Sequence, residues 1–241
     1  MLVVENINKW YGAIHVLKDV SLQVNDSEIV AVTGPSGAGK TTLLQIMGTL
    51  ERPDSGIVSF DNKAVSGMKD KEISRFRNKN IGFVFQFHQL LPEFTLLENV
   101  MLPAMISRQE RRNTKDRARK LLEEVGLGER LDHKPSQLSG GECQRGAVAR
   151  ALINSPSIVL ADEPTGNLDS FNSIELSDLF FKMRASHGTT FVIVTHDKEL
   201  ASRCDRILEI SDGVIKTDCN EQTEDNLCAV EPDSAHVGMP E

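Results

Sequence analysis

The sequence predicts an α/β fold with a mostly parallel sheet core, an antiparallel β part at the N-terminus and a helical insertion. Three observations carry that expectation. Apolar runs of strand length recur at residues 29–32, 158–161 and 191–194. Strands apolar at every position are what a sheet covered on both faces requires. Helical patterns alternate with these runs instead of forming a separate block, as in parallel strands joined by crossovers. Between residues 87 and 137 the strand signal disappears, and helix with loop replaces it.

Taken in order, residues 2–5 and 20–24 read as strands joined by a turn near Tyr11-Gly12. Residues 28–33 form a continuous buried-type run that enters a glycine-rich turn at 34–39, followed by a helix through Met47. Further strands are expected at 81–85, 157–161, 190–194 and 206–210. In the insertion, one helix should be capped near Asn113 or Thr114 and stop at Gly126. This gives a nucleotide-binding body over 1–216, a helical insertion over roughly 87–155 and a tail over 217–241.

Composition excludes several classes. The 241 residues are 39% hydrophobic and 26% charged, ordinary for a globular chain. No stretch approaches the ~18 apolar residues of a membrane-spanning helix, and the start, Met1-Leu2-Val3-Val4-Glu5, lacks the basic and apolar regions of a signal peptide. The cytoplasm is the expected compartment, with any membrane relation peripheral and made through a partner. Cys143, Cys204, Cys219 and Cys228 are scattered without metal-ligand or disulfide spacing. The net charge of −8 is concentrated after Lys216, where seven acids stand without Lys or Arg. That segment is expected to be a disordered, solvated appendage. The body holds 28 acids against 27 bases, and without a basic stripe no nucleic-acid partner is expected.

Gly34-Pro35-Ser36-Gly37-Ala38-Gly39-Lys40-Thr41-Thr42 fits the phosphate-loop pattern between a strand and a helix. Its glycines let successive N–H groups face one anion, supported by the positive end of the helix. Lys40 supplies a mobile charge for the β- and γ-phosphates of ATP, and Thr41 a hydroxyl for Mg²⁺. A second run, 158–161, ends in adjacent carboxylates, Asp162 and Glu163. That placement puts Asp162 near the metal and leaves Glu163 to orient or deprotonate water. Many nucleotide-hydrolysing families share these two features.

Leu138-Ser139-Gly140-Gly141-Glu142-Cys143-Gln144-Arg145 narrows the choice. Ser139 and Glu142 have the spacing of a helix capping box, and a capped helix opening on a serine and two glycines is also a γ-phosphate binder. The motif resembles the signature of ABC ATPases, and the resemblance extends over nearly all of 1–216. It implies that Tyr11 stacks on adenine, that Gln86 reaches the metal and the attacking water, and that His196 contacts the γ-phosphate. It further implies a homodimer meeting head to tail, in which Ser139, Gly140, Gly141 and Glu142 face the partner subunit's ATP and Asp169 lies in a loop crossing the interface. Integral membrane permease subunits would dock near Gln86 and the insertion. Cys143 and Gly146 depart from the usual signature helix, where a glutamine and a β-branched residue are common; a glycine there should loosen the helix.

Within that family, residues 48–53, 82–100 and 132–138 resemble the ATPases of bacterial lipoprotein-releasing complexes, which work at the cytoplasmic face of the inner membrane. Macrolide or peptide exporters and division-associated permeases have similar motors, as does a permease that signals to cell-wall hydrolases. DNA-repair relatives carry a long coiled coil between the positions of Gln86 and Ser139, and ribosome-acting relatives usually carry two ATPase units; this chain has neither.

Overall fold

The computed structural model describes residues 1–107 and 110–220. Its centre is a six-stranded sheet in the order β10-β9-β3-β8-β7-β6. The strands are β3 (Ile29–Thr33), β6 (Ile81–Phe85), β7 (Ile158–Asp162), β8 (Thr190–Val194), β9 (Arg206–Ser211) and β10 (Val214–Asn220). Five run parallel, and β10 closes one edge antiparallel to β9. Alternation on β3 shows why the run had to be apolar throughout. Ile29 and Ala31 enter one core with the helical insertion, while Val30 and Val32 enter a second core with the N-terminal strands.

That second core is covered by an antiparallel sheet, β2-β1-β4-β5. β1 (Leu2–Tyr11) and β2 (Ile14–Val24) are each far longer than the segments the sequence suggested. Bulges between Val4 and Trp10 shift their register and break the simple alternation that would have revealed them. β4 (Ser55–Phe60) and β5 (Lys63–Ala64) were not anticipated. Helix α1 (Lys40–Met47) lies in the same layer, with Leu43, Leu44, Ile46 and Met47 buried. Helix α2 (Asp70–Asn80) gave no apolar pattern because only Ile73 is buried.

The insertion is helical as expected, built from α3 (Leu96–Ile106), α4 (Arg111–Glu124) and α5 (Gly140–Leu152). A capping box starts α3: Thr95 N–H donates to Glu98 Oε2 at 2.9 Å, and Glu98 N–H to Thr95 Oγ1 at 3.2 Å. Helix α4 begins before Asn113 and Thr114, which sit in its first turn; Thr114 Oγ1 donates back to the Glu110 carbonyl at 2.9 Å. Its C-terminal turn closes at Gly126 (φ 75°), with Leu127 N–H bonded to the Leu122 carbonyl at 2.7 Å. Helices α6 (Ser170–His187) and α7 (Lys198–Ser202) complete the chain order.

Two expectations change. The body does not stop at 216: β10 runs through Asn220, and Asp218 on it pairs with Arg206 of β9. The rest of the expected tail, 221–241, lies outside the described residues. Gly146 also reads differently. A Cβ there would sit 2.5 Å from Leu96 Cδ1, so the glycine admits a fully buried leucine of α3 against α5. The glycine makes a close helix crossing possible. Gly146→Val should cost about 1–3 kcal/mol by overpacking, and in a double-mutant cycle Leu96→Ala should recover part of that loss. Thermal unfolding of the four variants measures the coupling.

Candidate nucleotide site

Register across the central sheet gathers the sequence-predicted residues along one edge. Phe85 pairs with Asp162, Asp162 with Val194, and Val32 with Val194. The chain therefore leaves β6 at Gln86, β7 at Glu163, β8 at Thr195 and β3 at Gly34 on the same side, beyond the C-terminal ends of the parallel strands. Ligand crevices of open α/β sheets lie in this position.

The phosphate loop is fixed by packing as well as by sequence. Gly34 has φ 137°, and a Cβ there would stand 2.0 Å from the Ile210 carbonyl oxygen, so no other residue fits. Ala38 is buried beneath the loop, and its carbonyl accepts from Gly213 N–H at 3.2 Å. Pro35, Ser36 and Gly37 are exposed at the loop crest. Lys40 Nζ donates to the carbonyls of Gly34 at 2.7 Å and Pro35 at 2.9 Å, which keeps the ammonium within the loop.

Thr41 Oγ1 donates to Asp162 Oδ1 at 3.3 Å, joining the first turn of α1 to the end of β7. Burial raises the Asp162 carboxyl above the ordinary aspartate range, and the Glu163 carboxylate pushes the same way; the Thr41 hydrogen bond and the Lys40 charge oppose them. A nearby divalent cation would favour the ionised form. No group of three or more His, Cys, Asp or Glu able to cage a metal exists among the described residues. One hydroxyl and one carboxylate instead suit a cation that keeps waters and binds phosphate, the habit of Mg²⁺.

Glu163 takes the left-handed conformation, φ 46°, while its N–H donates to the Val194 carbonyl at 2.9 Å. The bend turns its side chain to His196, whose Nδ1 lies 2.8 Å from Glu163 Oε2. A carboxylate only accepts, so Nδ1 carries the proton of that bond. The His196 side chain is 73% exposed, whereas that of Glu163 is 19% exposed. The carboxylate is sheltered and the imidazole is accessible.

Gln86 stands at the expected edge, but its side chain does not join the Thr41–Asp162 pair. Its Nε2 donates to Asn167 Oδ1 at 3.4 Å, and Asn167 Nδ2 donates back to the Gln86 carbonyl at 3.2 Å. In the sequence Asn167 stood only within the segment 166–169, which resembles an interface loop, and no spacing there reveals Gln86 as its partner. Tyr11 is exposed at the tip of the β1–β2 hairpin, with Lys9 Nζ 5.4 Å from its ring centroid. It pairs with Ile14, two residues before Val16, whose carbonyl closely approaches Gly39.

Ser139 caps α5 as its spacing predicted. Its N–H donates to Glu142 Oε2 at 2.8 Å, and Glu142 N–H to Ser139 Oγ at 3.2 Å. The Ser139 backbone bond is the main reason the Glu142 carboxyl lies below its ordinary range, with Arg130 at 3.1 Å contributing. Ser139 and Gly140 are exposed at the helix tip, while Gly141 and Cys143 are buried. Asp169 caps α6 by accepting from Asn172 N–H at 2.9 Å, which holds its carboxyl below the ordinary range. The side-chain bonds of Ser139 and Asp169 thus close within the first turns of their own helices.

Comparison with known proteins shows the family. The family model described as ABC transporter matches residues 17–166. A Bacteroides thetaiotaomicron relative named lipoprotein-releasing system ATP-binding protein LolD is 58% identical over 218 residues, covering 90% of this chain and 100% of the relative. A Porphyromonas gingivalis protein of the same name is 53% identical over 210 residues, covering 87% and 96%. Among solved structures, a dimeric ATP-binding cassette in a post-hydrolysis state with ADP and Pi has a TM-score of 0.84 at 39% identity, covering 91% of this chain and 98% of that one. The chain therefore belongs to the ABC transporter ATP-binding family and is an ATPase of that type.

Proposed function

We propose that this chain is the ATP-hydrolysing subunit of a lipoprotein-releasing ABC complex at the cytoplasmic face of a bacterial inner membrane. The observation that carries the reading is the similarity to lipoprotein-releasing ATPases along the full length of those relatives. The level placement of Thr41–Asp162 beside Glu163–His196 supports the chemistry.

In this reading Gly34, Pro35, Ser36, Gly37, Ala38 and Gly39 wrap the phosphates, Lys40 neutralises them, Thr42 extends the cradle and Tyr11 stacks on adenine. Thr41, Asp162 and Gln86 would hold Mg²⁺, which would offset the phosphate charge. Gln86 must turn from Asn167 to do so. Glu163 accepts the proton of the attacking water, while His196 positions the γ-phosphate. Two copies of the chain meet head to tail, and the start of α5, where Ser139 and Gly140 are exposed ahead of Gly141 and Glu142, faces the partner subunit's ATP. Asp169 lies at that interface.

Permease subunits dock beside the insertion. A cleft of about 480 Å³ there is lined by Leu50, Phe83, Phe85, Pro103, Ile106 and Arg150, among others. Next to it the segment after Gln86 divides cleanly. Leu90, Leu96 and Leu97 are buried, while Phe87 is 71% exposed, with Leu91 and Phe94 also at the surface. Of the exposed residues, Leu91 and Phe94 are held in place by Asn99. It is fully buried, accepts from Leu91 N–H at 2.7 Å and donates to the carbonyls of Leu91, Phe94 and Thr95. An apolar surface kept rigid in this way fits a docking site.

Leu91→Glu and Phe94→Asp should leave the chain's own ATPase rate within about twofold, because exposed positions tolerate charge. Binding to solubilised permease and lipoprotein release from spheroplasts should fall about 10-fold or more, the scale of a lost interface anchor. Normal copurification and release in both variants would remove the docking assignment. Copurification of the wild-type chain with a drug exporter or a division protein would keep the motor and overturn the lipoprotein reading.

A further inference from the structure

Helix α5 grips the segment around Gln86 at three backbone carbonyls. Gln144, 2% exposed, donates from Nε2 to the Phe85 carbonyl at 2.8 Å. Less than two turns further along, Arg150 donates from Nη2 to the His88 carbonyl at 2.8 Å and from Nη1 to the Gln89 carbonyl at 2.6 Å. These bonds bracket Gln86, which none of them touches.

Arg150 is unusual among the charges of the chain. It is half-buried, burial lowers its pKa, and it forms no ion pair among the described residues. A desolvated guanidinium without a counter-ion is costly, so its two carbonyl bonds are what balance it. Gln89 has φ 49°, a turn conformation that brings two successive carbonyls to one side. The planar fork of arginine suits such adjacent acceptors, whereas a lysine ammonium would meet them as a single point charge. The guanidinium also neighbours His88, whose pKa is lowered by burial and then by the Arg150 charge. His88 Nδ1 in turn accepts from Leu90 N–H at 3.1 Å. Arg150, Gln89 and Phe85 all line the cleft beside the insertion.

We infer that Arg150, aided by Gln144, is a positioning residue that makes α5 and residues 85–89 one mechanical unit. Displacing this segment at the cleft moves α5, and α5 carries Ser139 at its other end, about 16 Å away at 1.5 Å per residue. The state of one nucleotide site is thereby tied to the contact made with the site across the dimer. This inference rests on the proposed roles of Gln86 and Ser139.

The test uses the full-length chain with Arg150→Lys and Arg150→Met. Nucleotide affinity should stay near wild type, since Arg150 bonds only the carbonyls of His88 and Gln89, and melting should fall by no more than about 2–4 °C per kcal/mol lost. Turnover should fall about 10-fold in Arg150→Met, equivalent to about one charge-assisted hydrogen bond. Arg150→Lys, which can hold one carbonyl at a time, should fall between. Hydrogen exchange at the Leu90 amide should rise about 10-fold in Arg150→Met, while the amides of mid-α5 stay protected. Wild-type turnover and wild-type Leu90 exchange in both variants would overturn the inference. So would a loss of turnover matched by equal losses of affinity and melting temperature. If Arg150→Met does not fold, the same comparison in Arg150→Lys decides. Normal turnover in Glu163→Gln would instead defeat the underlying site assignment, so the two failures are distinguishable.

Discussion

Glu163→Gln should still bind ATP but hydrolyse it about 10²–10⁴-fold more slowly, the usual loss on removing a general base. The site geometry explains why so small a change is so costly. Glu163 is sheltered at the end of β7 and turned by its left-handed backbone toward His196. Glutamine fills the same volume and can still meet His196 Nδ1 through its carbonyl oxygen, so the fold and the nucleotide cradle survive. It cannot take a proton from water. On the proposed head-to-tail dimer, with hydrolysis as the step that reopens it, the variant should accumulate as a dimer with ATP, visible by size-exclusion chromatography. Near-normal turnover would show that the base is elsewhere.

Lys40→Ala and Ser139→Ala should fail in different ways. Lys40 reaches into its own phosphate loop, with Nζ 2.7 Å from the Gly34 carbonyl. Its loss removes charge-assisted bonds of about 1.5–3 kcal/mol each. Affinity of the monomer for ATP should therefore fall about 10²-fold or more. Ser139 caps α5 on an exposed tip, and its side-chain bond closes within the first turn of its own helix. Ser139→Ala should leave the monomer's affinity unchanged within about twofold and weaken ATP-driven dimerisation. It also removes a cap worth about 1 kcal/mol, so Ser139→Asp, which keeps the cap but adds an anion facing phosphate, is the sharper control: a stable helix with no dimer. Isothermal titration of the monomer and sedimentation of the Glu163→Gln background would measure both. Equal losses of monomer affinity in Lys40→Ala and Ser139→Ala would contradict the head-to-tail arrangement.

Much of this was legible in the residues themselves. The central strands declared themselves because burial on both faces permits only apolar side chains, and that requirement is written locally in each strand. The phosphate loop was legible because its geometry depends on backbone conformations and on a cation and hydroxyl at fixed spacing. The Ser139 cap is a local pattern as well, closed within one helical turn. The long hairpin of β1 and β2 was only half legible, since bulges break its alternation, and α2 was missed because it buries a single isoleucine.

Tertiary structure alone decided the rest, for one physical reason: these features are contacts between segments far apart in the chain. Gly146 looked like a weakness of α5 until Leu96 was seen filling the space a side chain would need. Gln86 proved to be engaged with Asn167, and Glu163 with His196, across gaps of 81 and 33 residues that no local pattern encodes. Asn99 and Arg150 are polar residues on helices, indistinguishable in sequence from surface positions. Only the packing of α3 and α5 against the Gln86 segment buries them and makes its carbonyls their partners. The sequence by itself determined which chemistry the chain carries; the fold decided which backbone holds each group in place, because desolvation and hydrogen-bond partners exist only once distant segments meet.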